Sequence, residues 1–172
     1  NGQHVPCNDH LHGGLMKELT ILTLFGGRWH TLEPYLHGLL NLDWPVKELR
    51  LLWYTNAEER FAECLRWQSQ LLKKKGYRIR LIHDRSLPPA ARVFHEGDQR
   101  TEEHLNAIAG LYNAAWQYVE TDDVLLLEDD IIATSHALKR LMKAMEDHTK
   151  AAIVTSCVFD RHNAGVVFVW DV

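Results

Sequence analysis

Short apolar runs alternate with longer amphipathic stretches along most of the chain. The runs predict strands at 19–25, 48–54, 77–82 and 124–127, and the stretches between them predict helices at 31–42, 57–75 and 102–119. A fourth helix has its apolar stripe at residues spaced three and four apart, Leu138, Leu141, Met142 and Met145. Two more strands are predicted at 151–157 and 166–170. Because strands that are apolar throughout are typical of a parallel sheet covered on both faces, the sequence predicts an α/β fold with a mostly parallel, twisted sheet flanked by helices.

Residues at the ends of these elements predict where the helices begin and end. Pro34 falls in the first turn of the helix predicted from Thr31, where proline is tolerated. Asn56 is followed three residues later by Glu59, the spacing of a capping box, so we expect Asn56 to cap the second helix. Gly76 predicts the end of that helix. Between the third strand and the third helix, a long loop is predicted at 83–99.

The amino-terminal residues differ from the rest of the chain. Residues 1–18 are polar and contain glycine and histidine, so we predict a polar arm, followed by one domain at 19–172. The arm holds four side chains of types that bind zinc, His4, Cys7, His10 and His12. Their spacing matches no established zinc motif, and polar termini are commonly disordered, which favours an arm over a zinc site.

Composition narrows the classes of function. Lysine and arginine number 19 against 23 aspartates and glutamates, and the formal net charge of -4 argues against nucleic acid as the main partner. No apolar run approaches the roughly 18 residues of a membrane-spanning helix. The cysteines, Cys7, Cys64 and Cys157, are too few for a disulfide scaffold and leave the compartment open.

Three adjacent carboxylates, Glu128, Asp129 and Asp130, follow the fourth predicted strand. In parallel sheets, ligands bind at the carboxyl ends of the strands. Neighbouring negative charges repel one another unless solvent or a cation offsets them, and carboxylate oxygens suit Mg²⁺ or Mn²⁺. A solvated acidic turn in front of a helix accounts for the same residues, so this segment alone leaves both interpretations open.

The surroundings of this acidic segment resemble a known family. Residues 112–130 read YNAAWQYVETDDVLLLEDD, which resembles the helix, turn, apolar strand and DxD-type motif of GT-A glycosyltransferases, particularly family-2-like ones. Asn113 matches the asparagine of that pattern, and Ala115 stands in place of its usual glycine. Glu-Asp-Asp resembles the variant of some N-acetylglucosaminyltransferases. Residues 36–54 resemble the family's first helix and second strand, and the whole resemblance covers roughly residues 19–158.

The resemblance implies a Rossmann-like, nucleotide-sugar-binding GT-A fold and a glycosyltransferase of the hexosyl-transferring type. Its donor would be a nucleotide sugar, UDP-linked, and its acceptor a hydroxyl of a saccharide, lipid or protein. The resemblance implies that Asp130, with Glu128, binds Mn²⁺ or Mg²⁺, which bridges the two phosphates and offsets charge on the leaving diphosphate. Glu128 and Asp129 would then position the ribose, the sugar or a metal-bound water.

The other strand ends supply candidate donor contacts. Phe25 ends the first strand, and Gly26 and Arg28 follow it. The arginine suits a diphosphate and the glycine allows close backbone approach, although a surface arginine and a plain turn fit the same residues. The aspartate that the family has after its second strand is missing, and Asn56 there is either a donor contact or only a helix cap. Asp84, after the third strand, is either a base contact or a loop residue.

An inverting enzyme also needs a carboxylate that takes the proton of the acceptor hydroxyl. Asp160 is the candidate because this base lies beyond the acidic segment in the related families. Only 42 of the 172 residues follow Asp130. We therefore expect the acceptor side to be incompletely represented and donor binding to exceed transfer.

Three other interpretations compete with a glycosyltransferase. A sugar nucleotidyltransferase has a glycine-rich loop that resembles residues 24–34, but Trp29 and Thr31 occupy its glycine and arginine positions. A response-regulator receiver has a similar acidic cluster, which in that fold follows the first strand. A GT-A-like module that binds a nucleotide sugar without turnover stays open, and a test for sugar transfer would separate it from an enzyme.

Overall fold

The computed structural model describes residues 18–86, 102–148, 150, 153, 158–159 and 167–168. The helices and strands follow one another along the chain in the order β1 (Leu19–Phe25), α1 (Trp29–Leu40), β2 (Leu49–Thr55), α2 (Glu59–Lys74), β3 (Arg78–His83), α3 (Glu102–Trp116), β4 (Asp123–Leu126), α4 (Ala137–Asp147), β5 (Val158–Phe159) and β6 (Val167–Phe168). A 3₁₀ turn at Val46–Glu48 lies between α1 and β2. The chain divides into two compact units. One contains the residues up to 28 together with 45–129, and the other contains 29–44 and the residues after 129.

Strands β1 to β4 form one sheet in which every pair of neighbouring strands is parallel. The strand order is β3-β2-β1-β4. In the register, Leu19 lies opposite Leu49 on one side and Asp123 on the other, and Arg50 lies opposite Arg78. The predicted α/β architecture with a parallel sheet is confirmed.

The central strands β1 and β2 are buried on both faces, which explains why they lack an alternating pattern. On one face, Leu22, Leu52 and Tyr54 form a cluster with Leu111 and Ala115 of α3. On the other face, three aromatic rings from β1, β2 and α2 pack together, Phe25, Trp53 and Phe61. Full burial of each large apolar side chain contributes about 1.5–3 kcal/mol.

The first helix begins earlier than its sequence predicted. It starts at Trp29 rather than Thr31, so Pro34 lies beyond the first turn, inside the helix. Proline lacks the N–H that would bond to the carbonyl of the residue four positions earlier, and this bond is therefore missing from α1.

The capping box predicted for the second helix is wrong. Helix α2 begins at Glu59, and Glu58 occupies the N-cap position without a side-chain capping hydrogen bond. Asn56 is instead buried directly after β2, with 5% of its surface exposed. Two residues, Asn56 and Ala57, therefore lie between the end of β2 and the N-cap of α2.

The second unit is described from its own contacts. The Nζ of Lys139 lies 2.6 Å from Oδ2 of Asp43, and the backbone N–H of Asp43 donates to the carbonyl of Ser135 at 2.8 Å. A Cβ at Gly38 would lie 2.9 Å from the backbone nitrogen of Ala133, so glycine is needed where α1 meets this segment. The lysine holds the pKa of the Asp43 carboxyl below its usual value.

The carboxyl-terminal strands are short in the structure. β5 and β6 pair in the antiparallel direction, and β6 lies within the strand predicted at 166–170. The strand predicted at 151–157 lies outside the described residues except for Ile153, which is not in a strand. Within the part of the chain that the structure describes, no helix is long and apolar enough to cross a membrane.

Candidate functional site

The carboxyl ends of four parallel strands meet at one edge of the sheet. Several of the residues singled out in the sequence lie at these ends: Phe25 is the last residue of β1, and the others follow a strand, Gly26 and Arg28 after β1, Asn56 after β2, Asp84 after β3, and Glu128 and Asp129 after β4. Ligands of open α/β sheets bind at this edge because the loops and unpaired backbone groups are there. The edge is therefore the candidate site.

Asp129 links the end of β4 to the end of β1. Its side chain is 1% exposed. Oδ2 accepts the backbone N–H of Gly26 at 3.1 Å, and Oδ1 accepts a hydrogen bond from the guanidinium of Arg28. The middle carboxylate of the acidic segment is thus already paired with a cation of the protein, whereas the side chain of Glu128 is exposed.

The turn after β1 is fixed by its backbone as well as by this carboxylate. Gly27 has a φ of 87°, in the left-handed region that glycine adopts without strain. A Cβ at Gly27 would lie 3.1 Å from the Cβ of Ala57, so the turn also approaches the segment after β2 closely. The Arg28 side chain beyond it is 40% exposed, and a guanidinium carries five N–H donors in a planar fork.

Side-chain hydrogen bonds connect the ends of β1, β2 and β3. The hydroxyl of Thr55 donates to the carbonyl of Phe25 at 2.8 Å and accepts the N–H of Ala57 at 3.1 Å. Nε2 of His83 lies 3.0 Å from the carbonyl of Ala57, which only accepts, so this ring nitrogen carries the proton. These hydrogen bonds therefore join the ends of the three strands.

Phe25 belongs to the aromatic cluster beneath this edge. Its side chain is 2% exposed and meets the ring of Trp53 edge-on, with the centroids 5.2 Å apart. Its ring centroid lies 6.3 Å from that of Phe61. A contact between Phe25 and a donor would therefore come from its backbone.

Asp84 accepts hydrogen bonds on both carboxylate oxygens. Tyr54 donates to Oδ2 at 2.5 Å, and the hydroxyl and N–H of Ser86 donate to Oδ1 at 2.6 and 2.8 Å. These bonds, from Ser86 first and then from Tyr54, hold the pKa of Asp84 below its ordinary value of 3.8. Burial and then the bond to Asp84 raise the pKa of Tyr54, so the phenol stays a neutral donor. At neutral pH, Asp84 is an ionised, acceptor-only group.

Removal of the Tyr54 hydroxyl should make the stability of the fold less sensitive to acid. A carboxyl whose pKa is lowered by folding stabilises above its unfolded pKa, and this contribution is lost as the pH falls through the folded value. In Tyr54→Phe, we expect a loss of about 0.5–1.5 kcal/mol at pH 7 and a smaller loss at pH 3, measured by urea unfolding. Tyr77→Phe is the matched control, because burial alone raises the pKa of Tyr77. If the free energy of unfolding of Tyr54→Phe differs from that of wild type by the same amount at pH 3 and pH 7, the hydrogen bond from Tyr54 to Asp84 does not have this role.

The candidate metal ligands are carboxylates at the end of β4. Glu128 is exposed, and Asp130 is half-buried. Among the described residues, no group of three or more His, Cys, Asp or Glu side chains could hold an ion. Mg²⁺ and related ions commonly take one or two protein carboxylates and complete their shell with water and substrate phosphates. Carboxylates are the residue type that such an ion takes from a protein.

Asn113 lies on α3. It is exposed in the last turn of α3, a helix that leads into the amino end of β4. Tyr118, in the same connection, lines a cavity of about 170 Å³ with Thr20 and Arg50, which stand at the amino ends of their strands. Two residues near Asn113 on this helix, Leu111 and Ala115, pack against Leu22, Leu52 and Tyr54 of the sheet, and the role of Asn113 in donor binding stays a prediction.

Several predictions fall outside the residues that the structure describes. They are the candidate base Asp160, the histidines and cysteine of the amino-terminal arm, Cys157, and most of the loop predicted at 83–99. Conversely, sequence analysis missed Tyr54, Thr55 and His83. The sequence did contain a signal for these three residues. Each is a polar or titratable residue at the end of a mostly apolar strand, close to Asn56 or Asp84, which the sequence analysis had singled out.

Comparison with known proteins gives likeness at the level of structure. No family model matches the chain, and no curated protein sequence matches it. The mannosyltransferase PcManGT from Pyrobaculum calidifontis, solved in complex with GDP-Man and Mn²⁺, is 14% identical, with a TM-score of 0.58 over 85% of this chain and 36% of that chain. TarS 1–349 from S. aureus is 13% identical, with a TM-score of 0.52 over 85% of this chain and 40% of that chain. Its complex with UDP-GlcNAc gives 15% identity and a TM-score of 0.50 over 78% and 32%.

The chain has a glycosyltransferase-like fold. Its four-stranded parallel sheet with helices on both faces has the GT-A-like arrangement expected from the sequence. At identities of 13% to 15%, the likeness concerns the fold. The chain spans between 32% and 40% of the length of these solved proteins.

Proposed function

We propose that the chain is the donor-binding part of a metal-dependent glycosyltransferase. It would transfer a sugar from a nucleotide donor, a UDP-sugar, to a hydroxyl of a saccharide, lipid or protein acceptor. The observation that supports this most is one edge of a parallel sheet that carries a partly exposed arginine, an ionised aspartate and the acidic segment. Folds of this kind hold GDP-Man with Mn²⁺ in PcManGT and UDP-GlcNAc in TarS.

In this proposal, the residues at the end of each strand contact a different part of the donor. After β3, the carboxylate of Asp84 accepts a ring N–H of the base, with Asn56 beside it after β2. After β1, Arg28 binds the diphosphate, and Gly26 allows the donor to approach the backbone. These fixed groups orient the donor before any bond breaks, and orientation accounts for a large part of many enzymatic accelerations.

In this proposal, Asp130 and Glu128 hold Mn²⁺ or Mg²⁺, and Glu128 also positions the ribose or the sugar. When bound, the ion supplies Lewis-acid stabilisation of the charge on the leaving diphosphate. Asp160 stays the candidate that takes the proton of the acceptor hydroxyl. Carboxylates suit both roles because an ionised carboxyl is a hard oxygen ligand and a proton acceptor.

UDP should stabilise the protein against heat only in the presence of Mn²⁺ or Mg²⁺. At free UDP of about 100 times its Kd, binding to the folded state contributes about 2.7 kcal/mol. Asp130→Asn should lose most of this gain, because it removes the charge of the proposed ligand. Asp122→Asn is the matched control, since Asp122 is an exposed carboxyl just before β4 at the opposite edge. The measurement is thermal unfolding with UDP in Mn²⁺, in Mg²⁺ and in EDTA.

Two outcomes would contradict separate parts of the proposal. Equal stabilisation by UDP in EDTA would contradict the bridging ion, and no stabilisation under any condition would contradict donor binding. Turnover is tested separately, by incubation with UDP-sugars, Mn²⁺ and a panel of acceptors, followed by UDP release and product mass. Donor binding without any product would favour a binding module over an enzyme.

A further inference from the structure

Asp129 has different surroundings from the two carboxylates beside it. Its side chain is 1% exposed, whereas Glu128 is exposed and Asp130 is half-buried. Both oxygens of Asp129 face the turn after β1: Oδ2 accepts the N–H of Gly26 at 3.1 Å, and Oδ1 accepts the guanidinium of Arg28. One buried carboxylate therefore binds both ends of a three-residue turn, although Arg28 comes 101 residues earlier in the chain.

We propose that Asp129 is a positioning residue, which holds Arg28 and the Gly26 turn for the donor diphosphate rather than binding the metal or the ribose. The inference rests on the proposed function for the identity of the ligand. It gives the three adjacent carboxylates two different roles. The outer ones, Glu128 and Asp130, bind the ion, and the middle one acts through Arg28.

The geometry supports this division in two ways. A buried carboxylate paired with a guanidinium has its charge offset within the protein, so it gains little from a second cation. The same pair fixes the long side chain of Arg28, of which 40% stays exposed, and a side chain fixed beforehand loses less rotamer entropy when it binds phosphate. Gly27, at a φ of 87°, sets the backbone between the two bonds.

A double-mutant cycle distinguishes a positioning role from direct contact. We expect Asp129→Asn and Arg28→Ala each to weaken UDP binding about tenfold in Mn²⁺, measured by calorimetry. The double variant should bind no more weakly than Arg28→Ala, because Asp129 acts through that side chain. The Mn²⁺ concentration for half-maximal binding at saturating UDP should stay unchanged in Asp129→Asn and rise in Asp130→Asn. A further loss on adding Asp129→Asn to Arg28→Ala, or a raised Mn²⁺ requirement, would overturn the inference.

Two further measurements complete the test. The first needs no donor, and the second uses the wild-type protein, so it does not depend on whether a variant folds. Without nucleotide, the amide of Gly26 should exchange with solvent faster in Asp129→Ala, which removes its acceptor, than in wild type; unchanged exchange would contradict the positioning role even if UDP does not bind. In the wild-type protein, Mg²⁺ with UDP should shift the carboxyl ¹³C signal of Asp130 and leave that of Asp129 nearly unchanged. An equal shift of both signals would assign Asp129 to the ion.

Discussion

Phe61→Ala should lower the free energy of unfolding by about 3–5 kcal/mol. Phe61 is fully buried on α2, and its ring packs against Phe25, which in turn meets Trp53 edge-on. Truncation removes the dispersion contacts of the ring and leaves a cavity that a close-packed interior fills only in part. Urea unfolding at pH 7 measures the loss.

The same helix offers a matched control for this prediction. Trp67 is 57% exposed, so Trp67→Ala should change the free energy of unfolding by less than about 1 kcal/mol. Equal losses in the two variants would mean that the aromatic cluster is not a main source of stability. Because Phe25 ends β1 directly before Gly26, the cluster also supports the backbone of the candidate site.

The parallel sheet was predictable because burial on both faces leaves a strong local signature. A run such as Leu19–Phe25 has no polar alternation to assign one face to solvent, and turns follow each run at short distance. The order of the strands was not determined by this pattern. It depends on which helices cover which face, as in the cluster that joins Leu22 and Leu52 to Leu111 of α3.

The prediction that Asn56 caps α2 was wrong because Asn56 is buried after β2 and the helix begins later. Asn56 and Glu59 have the spacing of a capping box, but Asn56 is buried beside the sheet edge and the helix begins three residues later. The Thr55 hydroxyl instead bonds to the backbone of Phe25 and Ala57, which links two strand ends. Capping spacing describes an isolated helix start and carries no information about a neighbouring strand.

The positions of the site residues were predictable, and their partners were not. Arg28, Asp84 and Asp129 were singled out because each follows a predicted strand, a rule that holds for any parallel sheet. The pairing of Arg28 with Asp129 spans 101 residues, and that of Tyr54 with Asp84 spans 30, so no local spacing indicates either.

Asn113 was singled out by its match to a family pattern. It fits the asparagine of the resembling pattern, yet the structure has it exposed near the end of α3 that leads to the amino edge of the sheet. A match in sequence gives the type of a residue, but it does not give the position of that residue relative to the strands. Its role in donor binding stays a prediction.

Asp84→Asn should reduce UDP affinity about tenfold to a hundredfold and remove most of the selectivity for UDP over CDP. In the proposed site, the hydrogen bonds from Ser86 and Tyr54 keep the Asp84 carboxyl ionised at neutral pH, so it only accepts. Uracil N3 and guanine N1 carry a hydrogen, whereas cytosine N3 and adenine N1 carry a lone pair. The wild-type protein should therefore bind UDP and GDP better than CDP and ADP.

The asparagine amide offers both a donor and an acceptor, so it meets either kind of ring nitrogen and discriminates poorly between them. Calorimetric titration of the four nucleoside diphosphates in Mn²⁺ gives the selectivity directly. Asp147→Asn is the matched control, because Asp147 is an exposed carboxyl on α4 paired with Lys143. One pair of results would contradict this role: Asp84→Asn keeps the ratio of UDP to CDP affinity, while Asp130→Asn loses UDP binding. The base would then be recognised elsewhere, and Asp84 would only accept the hydrogen bonds of Ser86 and Tyr54.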